Sequence, residues 1–442
     1  MFNNEKLISS LLICSWIVLW GSINSFIWPE GLIETYKSIN FSKNLLVSIS
    51  SLRSLSALII SIVLIFYFLC LVVLKKIKIN KIHLLFILFF LCYIFGLLFN
   101  DEKLFNFTNN YLVILSFGSI CLFVIIDSLK LNKIIIYFFW ISLFFLIFAL
   151  SLTMISKISE INSFNFYEIF DEKTNNLLGE TNPRISGLSR MLAIINLFIF
   201  CNYIKLGNTY PKILSKIFLI LSSSIIIFMQ SRGTIVCYFF SISVLIFFIN
   251  KKNKIRLKEI LIFILLPILI FSLITNILNK RDINSNENLN INNRILSSST
   301  SGRYEIWSYT IKNYDFQKKL FGYGSNGDRF FLKQFDDKDK YSDNTSNIAA
   351  YSLVSGGPIS LIILGIIFYK VLKVIILNKS HFLSDRNNFY LNLSFTFVTF
   401  FLIRSIFENS FGLFSTDFLI TYLSLSYILS NLDKKILLNE KN

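Results

Sequence analysis

Charge is scarce in this chain, and acid is scarcer than base. Only 16% of its 442 residues are charged, and the 43 Lys and Arg outnumber the 26 Asp and Glu. A soluble domain carries about 25% charged residues, so the composition is not that of a soluble globular protein. Histidine is nearly missing: His83 and His381 are the two in the chain. There is no His/Cys metal set, no Ser-His-Asp arrangement and no Walker-type phosphate loop, so no metal and no cofactor is expected. The six cysteines (Cys14, Cys70, Cys92, Cys121, Cys201 and Cys237) all fall inside apolar runs. None lies in the longest polar segment, which argues against a disulfide framework.

What the chain has in excess is apolar sequence, 54% of residues, with a mean hydropathy of +0.63. Apolar runs occupy roughly 7–28, 53–74, 82–99, 111–127, 134–155, 188–204, 213–230, 234–250, 259–278, 347–369, 388–407 and 412–430. Each is near the ~20 residues a helix needs to cross a bilayer core. The sequence therefore predicts an all-α polytopic integral membrane protein of about twelve spans, with residues 1–442 forming a single transmembrane domain. The first run has no small-residue cleavage site and is read as an uncleaved span.

The net charge of +17 does not point to nucleic acid, because the basic residues gather in short loops between spans. Lys75, Lys76, Lys78 and Lys81 form one such group, Lys251, Lys252, Lys254, Arg256 and Lys258 another, and Lys370, Lys373, Lys379 and Arg386 a third. Loops of this kind are cytoplasmic. Both termini are then cytoplasmic, and the connections 156–187 and 279–346 lie outside, in a periplasm where there is one. The second of these is a large polar loop between spans 9 and 10, and it is where chemistry is expected.

Arginines gather on this outer side. Arg184 and Arg190 flank the start of span 6, Arg232 sits in the short turn Gln230-Ser231-Arg232-Gly233, and Arg303 follows Ser301-Gly302 in the large loop. Arginine presents a planar fork of donors that suits phosphate. Arg184 and Arg190 have a second reading, as side chains snorkelling from a helix end. Arg232 is harder to explain that way, because its turn is too short to hold it away from hydrocarbon, where arginine costs about 2.5–3.5 kcal/mol. Arg404 and Glu408 stand at i and i+4 and read either as a structural intramembrane pair or as part of the site. In the large loop, Ser301-Gly302-Arg303 precedes a helical pattern from Tyr304 to Tyr314, with Trp307 and Ile311 at i and i+4. The amides of such a helix start favour anions. Phe321-Gly322-Tyr323-Gly324 reads as a turn. Asp336, Asp337 and Asp339, interleaved with lysines, read as a solvated surface.

These residues together resemble the bacterial O-antigen polymerase and O-antigen ligase superfamily. The resemblance rests on the Ser-Arg-Gly turn, the Ser-Gly-Arg that opens the large loop with a Trp four residues on, the Phe-Gly-Tyr-Gly turn, and Asn347 followed by Gly356-Gly357. It implies a C-type glycosyltransferase fold working at the outer face of the inner membrane on undecaprenyl diphosphate-linked glycans, with no nucleotide sugar. It implies that Arg232 and Arg303 hold the diphosphate and that Arg184 or Arg190 meets glycan or phosphate. Ligases of this superfamily carry His-Asn, nine residues, then Gly at the end of the loop. Here Asn347 and Gly357 keep the spacing, but Ser346 stands where the His would be. That departure favours a polymerase and leaves the general base open, with Asp343 as the first candidate and Glu305 as the second. Tyr304, Trp307 and Tyr323 read equally as platforms for sugar rings or as packing. The expected partners are a lipid-linked glycan donor and acceptor, membrane lipid and a chain-length regulator protein. A ligase, and a flippase for lipid-linked oligosaccharide, are the rival readings; a flippase is expected to have short loops instead.

Overall fold

The computed structural model describes residues 11, 45–77, 81–99, 106–129, 137–144, 147, 185–205, 210–229, 231–250, 262–273, 303–316, 319–325, 327–332, 345, 347–377, 389–408 and 416–439. Among these residues the protein is helical. In chain order the helices are α1 (Leu45–Val73), α2 (Lys81–Leu98), α3 (Asn106–Leu129), α4 (Ile185–Lys205), α5 (Tyr210–Phe228), α6 (Arg232–Asn250), α7 (Arg303–Asn313), α8 (Gly327–Phe331), α9 (Ile348–Leu377), α10 (Phe389–Phe407) and α11 (Thr416–Asn439). An apolar helical stretch, Ile262–Leu273, lies between α6 and α7.

Among the described residues six helices are long and apolar enough to cross a membrane: α1, α3, α4, α5, α9 and α10. Shorter apolar helices lie at Leu84–Leu98, Arg232–Phe247, Ile262–Leu273 and Asp417–Leu429. A helix satisfies its own backbone in lipid, which is why apolar runs of this length adopt it. Hydroxyls within these runs bond back to their own helix, as in Ser116 to Leu112 O at 2.6 Å and Ser424 to Ile420 O at 2.6 Å. Such back-bonding lets serine sit in an apolar run. The predicted runs from 53 onward all coincide with described helices, in whole or in part. The first run, apart from Leu11, and the connection 156–184 lie outside the described residues.

The helices α4 and α10 are the most enclosed, and α1 and α5 are peripheral. The core runs through aromatic contacts such as Phe90 on Phe418, with ring centres 4.7 Å apart, and Phe123 on Tyr422 at 4.6 Å. Leu55, Ile59, Phe66 and Leu69 of α1 point outward, as a lipid-facing stripe should.

Helix α9 breaks at Gly357-Pro358, where Gly357 has φ 75° and ψ 179°. That backbone region is essentially restricted to glycine. Pro358 has no N–H to offer the carbonyl of Val354. The Phe-Gly-Tyr-Gly turn fills the gap: Tyr323 N donates to Val354 O at 2.8 Å, and Gly324 N donates to Ser355 O at 2.9 Å. On its other side the turn presses on α2, where a Cβ at Gly96 would come within 2.4 Å of Phe321 O. The turn is thus a wedge between α2 and α9, and the amides of Tyr323 and Gly324 are spent on the broken helix. Replacing Gly357 with Ala should cost about 1–3 kcal/mol from backbone strain alone. The new Cβ would also lie 2.0 Å from Leu320 O. A lower Tm in detergent is expected, while Gly365→Ala, which has open space around it, should leave Tm unchanged.

Candidate functional site

The starts of α4, α6, α9 and α11 and the end of α10 meet at one end of the bundle. Ser189 Oγ of α4 donates to Thr234 Oγ1 of α6 at 3.3 Å, and Ser231 Oγ donates to the same oxygen at 3.0 Å. Asn347 caps α9: its Oδ1 accepts from Ala349 N at 2.7 Å and Ala350 N at 3.1 Å. Its Nδ2 donates to Ile406 O at 2.8 Å, which ties α9 to α10. A Cβ on Gly233 would sit 3.6 Å from Phe407 Cβ, so the start of α6 lies beside the end of α10. Helix starts carry partial positive charge, and several are gathered here.

Four side chains form a chain of alternating charge across this junction. Arg190 of α4 donates to Asp417 of α11 at 3.1 Å. Asp417 also pairs with Arg404 of α10, and Arg404 pairs with Glu408 at 2.6 Å. The Asp417 and Arg404 side chains are 1% and 4% exposed, whereas Arg190 and Glu408, at the two ends, are 17% and 26% exposed. Arg404 lies in the last turn of α10, where a cation also meets the negative end of the helix. The i, i+4 pair read from the sequence is present and belongs to this larger network. Asp417 was not singled out in the sequence. Its signal was a carboxylate at the start of an otherwise apolar run, a placement that is expensive and marks a role.

Arg232 is the first residue of α6 and is half-buried. Arg303 is the first residue of α7 and is also half-buried, with Glu305 exposed in the same first turn. Ile306 and Tyr314 pack with Leu353 and Val354 of α9, with Trp307 against the same cluster, Thr310 is buried, and Ile311 is 62% exposed.

Trp307 Nε1 donates to Thr345 O at 2.7 Å. Buried Asp328 of α8 accepts from Thr345 N at 3.2 Å and Thr345 Oγ1 at 3.3 Å. These bonds fasten the end of the large loop two residues before the Asn347 cap. Tyr323 packs against Phe331 and Tyr314, with Lys319 Nζ 5.1 Å from its ring centre. Burial, followed by Tyr323 and Asp315, pushes the Tyr314 phenol above its usual range. It stays protonated and donates to Lys319 O. Trp307 and Tyr323 thus have packing partners, while Tyr304 is exposed. Arg184 and Asp343, and with them the cluster of Asp336, Asp337 and Asp339, lie outside the described residues. Among the described residues no three His, Cys, Asp or Glu side chains gather as a metal site would require, and Cys70, Cys92, Cys121, Cys201 and Cys237 are free thiols.

Residues 217–365 match the family described as O-antigen ligase. Through that stretch the chain is similar to the O-antigen ligase family. Its apolar helices and that match are those of a multi-pass membrane protein. Searches among curated proteins and among solved structures find no match to it. The matched stretch takes in Arg232, Arg303, the wedge turn, the Asn347 cap and the Gly357 break, but none of the four residues of the charge network. Trp307→Phe should remove one hydrogen bond at the loop's anchor, worth about 0.5–1.5 kcal/mol. Faster hydrogen exchange at residues 345–350, with the rest of the bundle unchanged, is the expected result.

Proposed function

We propose that this protein is an O-antigen polymerase. It joins undecaprenyl diphosphate-linked oligosaccharide repeat units into a polysaccharide at the periplasmic face of the bacterial inner membrane. The observation that carries this reading is the meeting of helix starts, Arg232 among them, at one end of the bundle, beside the anchored end of the large loop. A lipid diphosphate leaving group needs fixed positive charge near the membrane surface, and preorganised donors supply it at low cost. Arg232 and Arg303 are the residues assigned to the diphosphate, with Arg184 or Arg190 on glycan or phosphate. The growing glycan is the donor, and a hydroxyl of an incoming lipid-linked unit attacks its anomeric carbon. Holding both lipids in one membrane plane aids their alignment. Ser346 in place of a ligase's His favours polymerisation over transfer to lipid A core.

Deleting the gene and running lipopolysaccharide on a gel tests this. Core bearing a single repeat unit and no ladder is the expected result. Bare core with polymer on the lipid carrier would identify a ligase, and bare core with units trapped inside a flippase. An unchanged ladder would overturn the assignment to O-antigen.

A further inference from the structure

We infer that Glu408 is the carboxylate that orients the acceptor hydroxyl and takes its proton. The inference rests on the polymerase reading above and deepens it. The sequence left the base open between Asp343 and Glu305. The structure brings a third carboxylate to the place where the helix ends meet. Glu408 follows the last residue of α10, and its amide still bonds to Arg404 O at 2.8 Å. The preceding turn holds the Ile406 carbonyl that binds the Asn347 cap, and Phe407 lies against Gly233, next to Arg232. Of the two carboxylates in the network, Asp417 is closed between two arginines, while Glu408 is the open end.

The charged and titratable groups around Glu408 come from each neighbouring helix. Arg404 on its own helix and Cys237 of α6 lie nearest, and Asp417 of α11 and Arg190 of α4 are joined to it through Arg404. Arg404 fixes the carboxylate in place, with Nη2 2.6 Å from its Oε2. The acceptor oxygen forms a bond to the anomeric carbon, and the bond from that carbon to the diphosphate oxygen breaks, with its electron pair leaving on the diphosphate. The hydroxyl proton passes to the Glu408 carboxylate and then to water.

The test uses the full-length protein in nanodiscs with lipid-linked repeat units extracted from cells deleted for it, and follows release of lipid diphosphate. In Glu408→Gln the amide oxygen still accepts from Arg404 but cannot take a proton. Turnover about 100-fold or more below wild type is expected, in line with the usual contribution of a positioned base. The Gln variant should also lose the acid limb that a proton-accepting carboxylate gives a pH–rate profile. Glu408→Asp should recover part of the rate together with that limb, and it carries the test if the Gln variant does not accumulate. A Gln variant within about threefold of wild type, a variant that keeps the acid limb without its carboxylate, or an Asp variant with no acid limb would overturn the assignment. Wild-type protein that leaves the lipid-linked units unjoined would overturn the polymerase reading itself.

Discussion

Replacing Arg232 with Ala is expected to abolish long glycan chains in cells while the protein accumulates at its normal level. The argument is one of charge. Arg190 and Arg404 are matched within the bundle by Asp417 and Glu408, so the four-residue network adds no net charge to the site. The arginines assigned to the diphosphate, Arg232 and Arg303, lie outside that network. Arg232 opens α6 at the point where the helix starts meet, so its guanidinium adds to the positive end of that helix. Losing one donor preorganised for a developing oxyanion costs about 100- to 1,000-fold in rate, enough to erase a ladder that depends on many successive transfers. Arg232→Lys keeps the charge and loses the planar fork, so shortened chains are expected. Arg303→Ala should behave like Arg232→Ala if both hold the same diphosphate. A gel of lipopolysaccharide, with an immunoblot for the protein, decides it. A normal ladder from either Ala variant would remove that residue from the diphosphate site.

The sequence made some of this visible for definite reasons. Apolar run length is a strong signal because lipid demands a complete helix, and the described helices lie where the runs lie. The α7 helix announced itself through the Ser-Gly-Arg start and the long apolar side chains behind it. The spacing of Asn347, nine residues and Gly357 was legible as a pattern, but not as a mechanism. In the structure Asn347 is the cap that starts α9 and Gly357 is the residue at which α9 breaks. The nine residues between them are about two and a half turns of helix. The wedge of the Phe-Gly-Tyr-Gly turn could not be read, because its partners Gly96, Val354 and Ser355 lie far apart along the chain. Asp417 was hidden for a similar reason. Nothing near it in sequence is basic, and both arginines that balance it come from other helices.

Asp417→Ala should be the most destabilising single change among these polar residues. Asp417 touches both Arg190 and Arg404, and removing it would leave the buried Arg404 paired with Glu408 at 2.6 Å. Breaking a buried pair by deleting one partner costs about 3–5 kcal/mol, because the other charge stays buried. A large fall in Tm in detergent and poor accumulation in the membrane are expected. Asp417→Asn keeps the shape and one acceptor oxygen, so it should lose less. Arg190→Met is the informative companion: Arg190 is partly exposed and Asp417 keeps Arg404, so its effect on Tm should be small. Combining it with Asp417→Asn should then cost less than the two single effects added, since the double variant no longer holds an unmatched Arg190. Strict additivity would mean that Arg190 and Asp417 do not interact in the membrane, and the alternating network would have to be withdrawn as a unit.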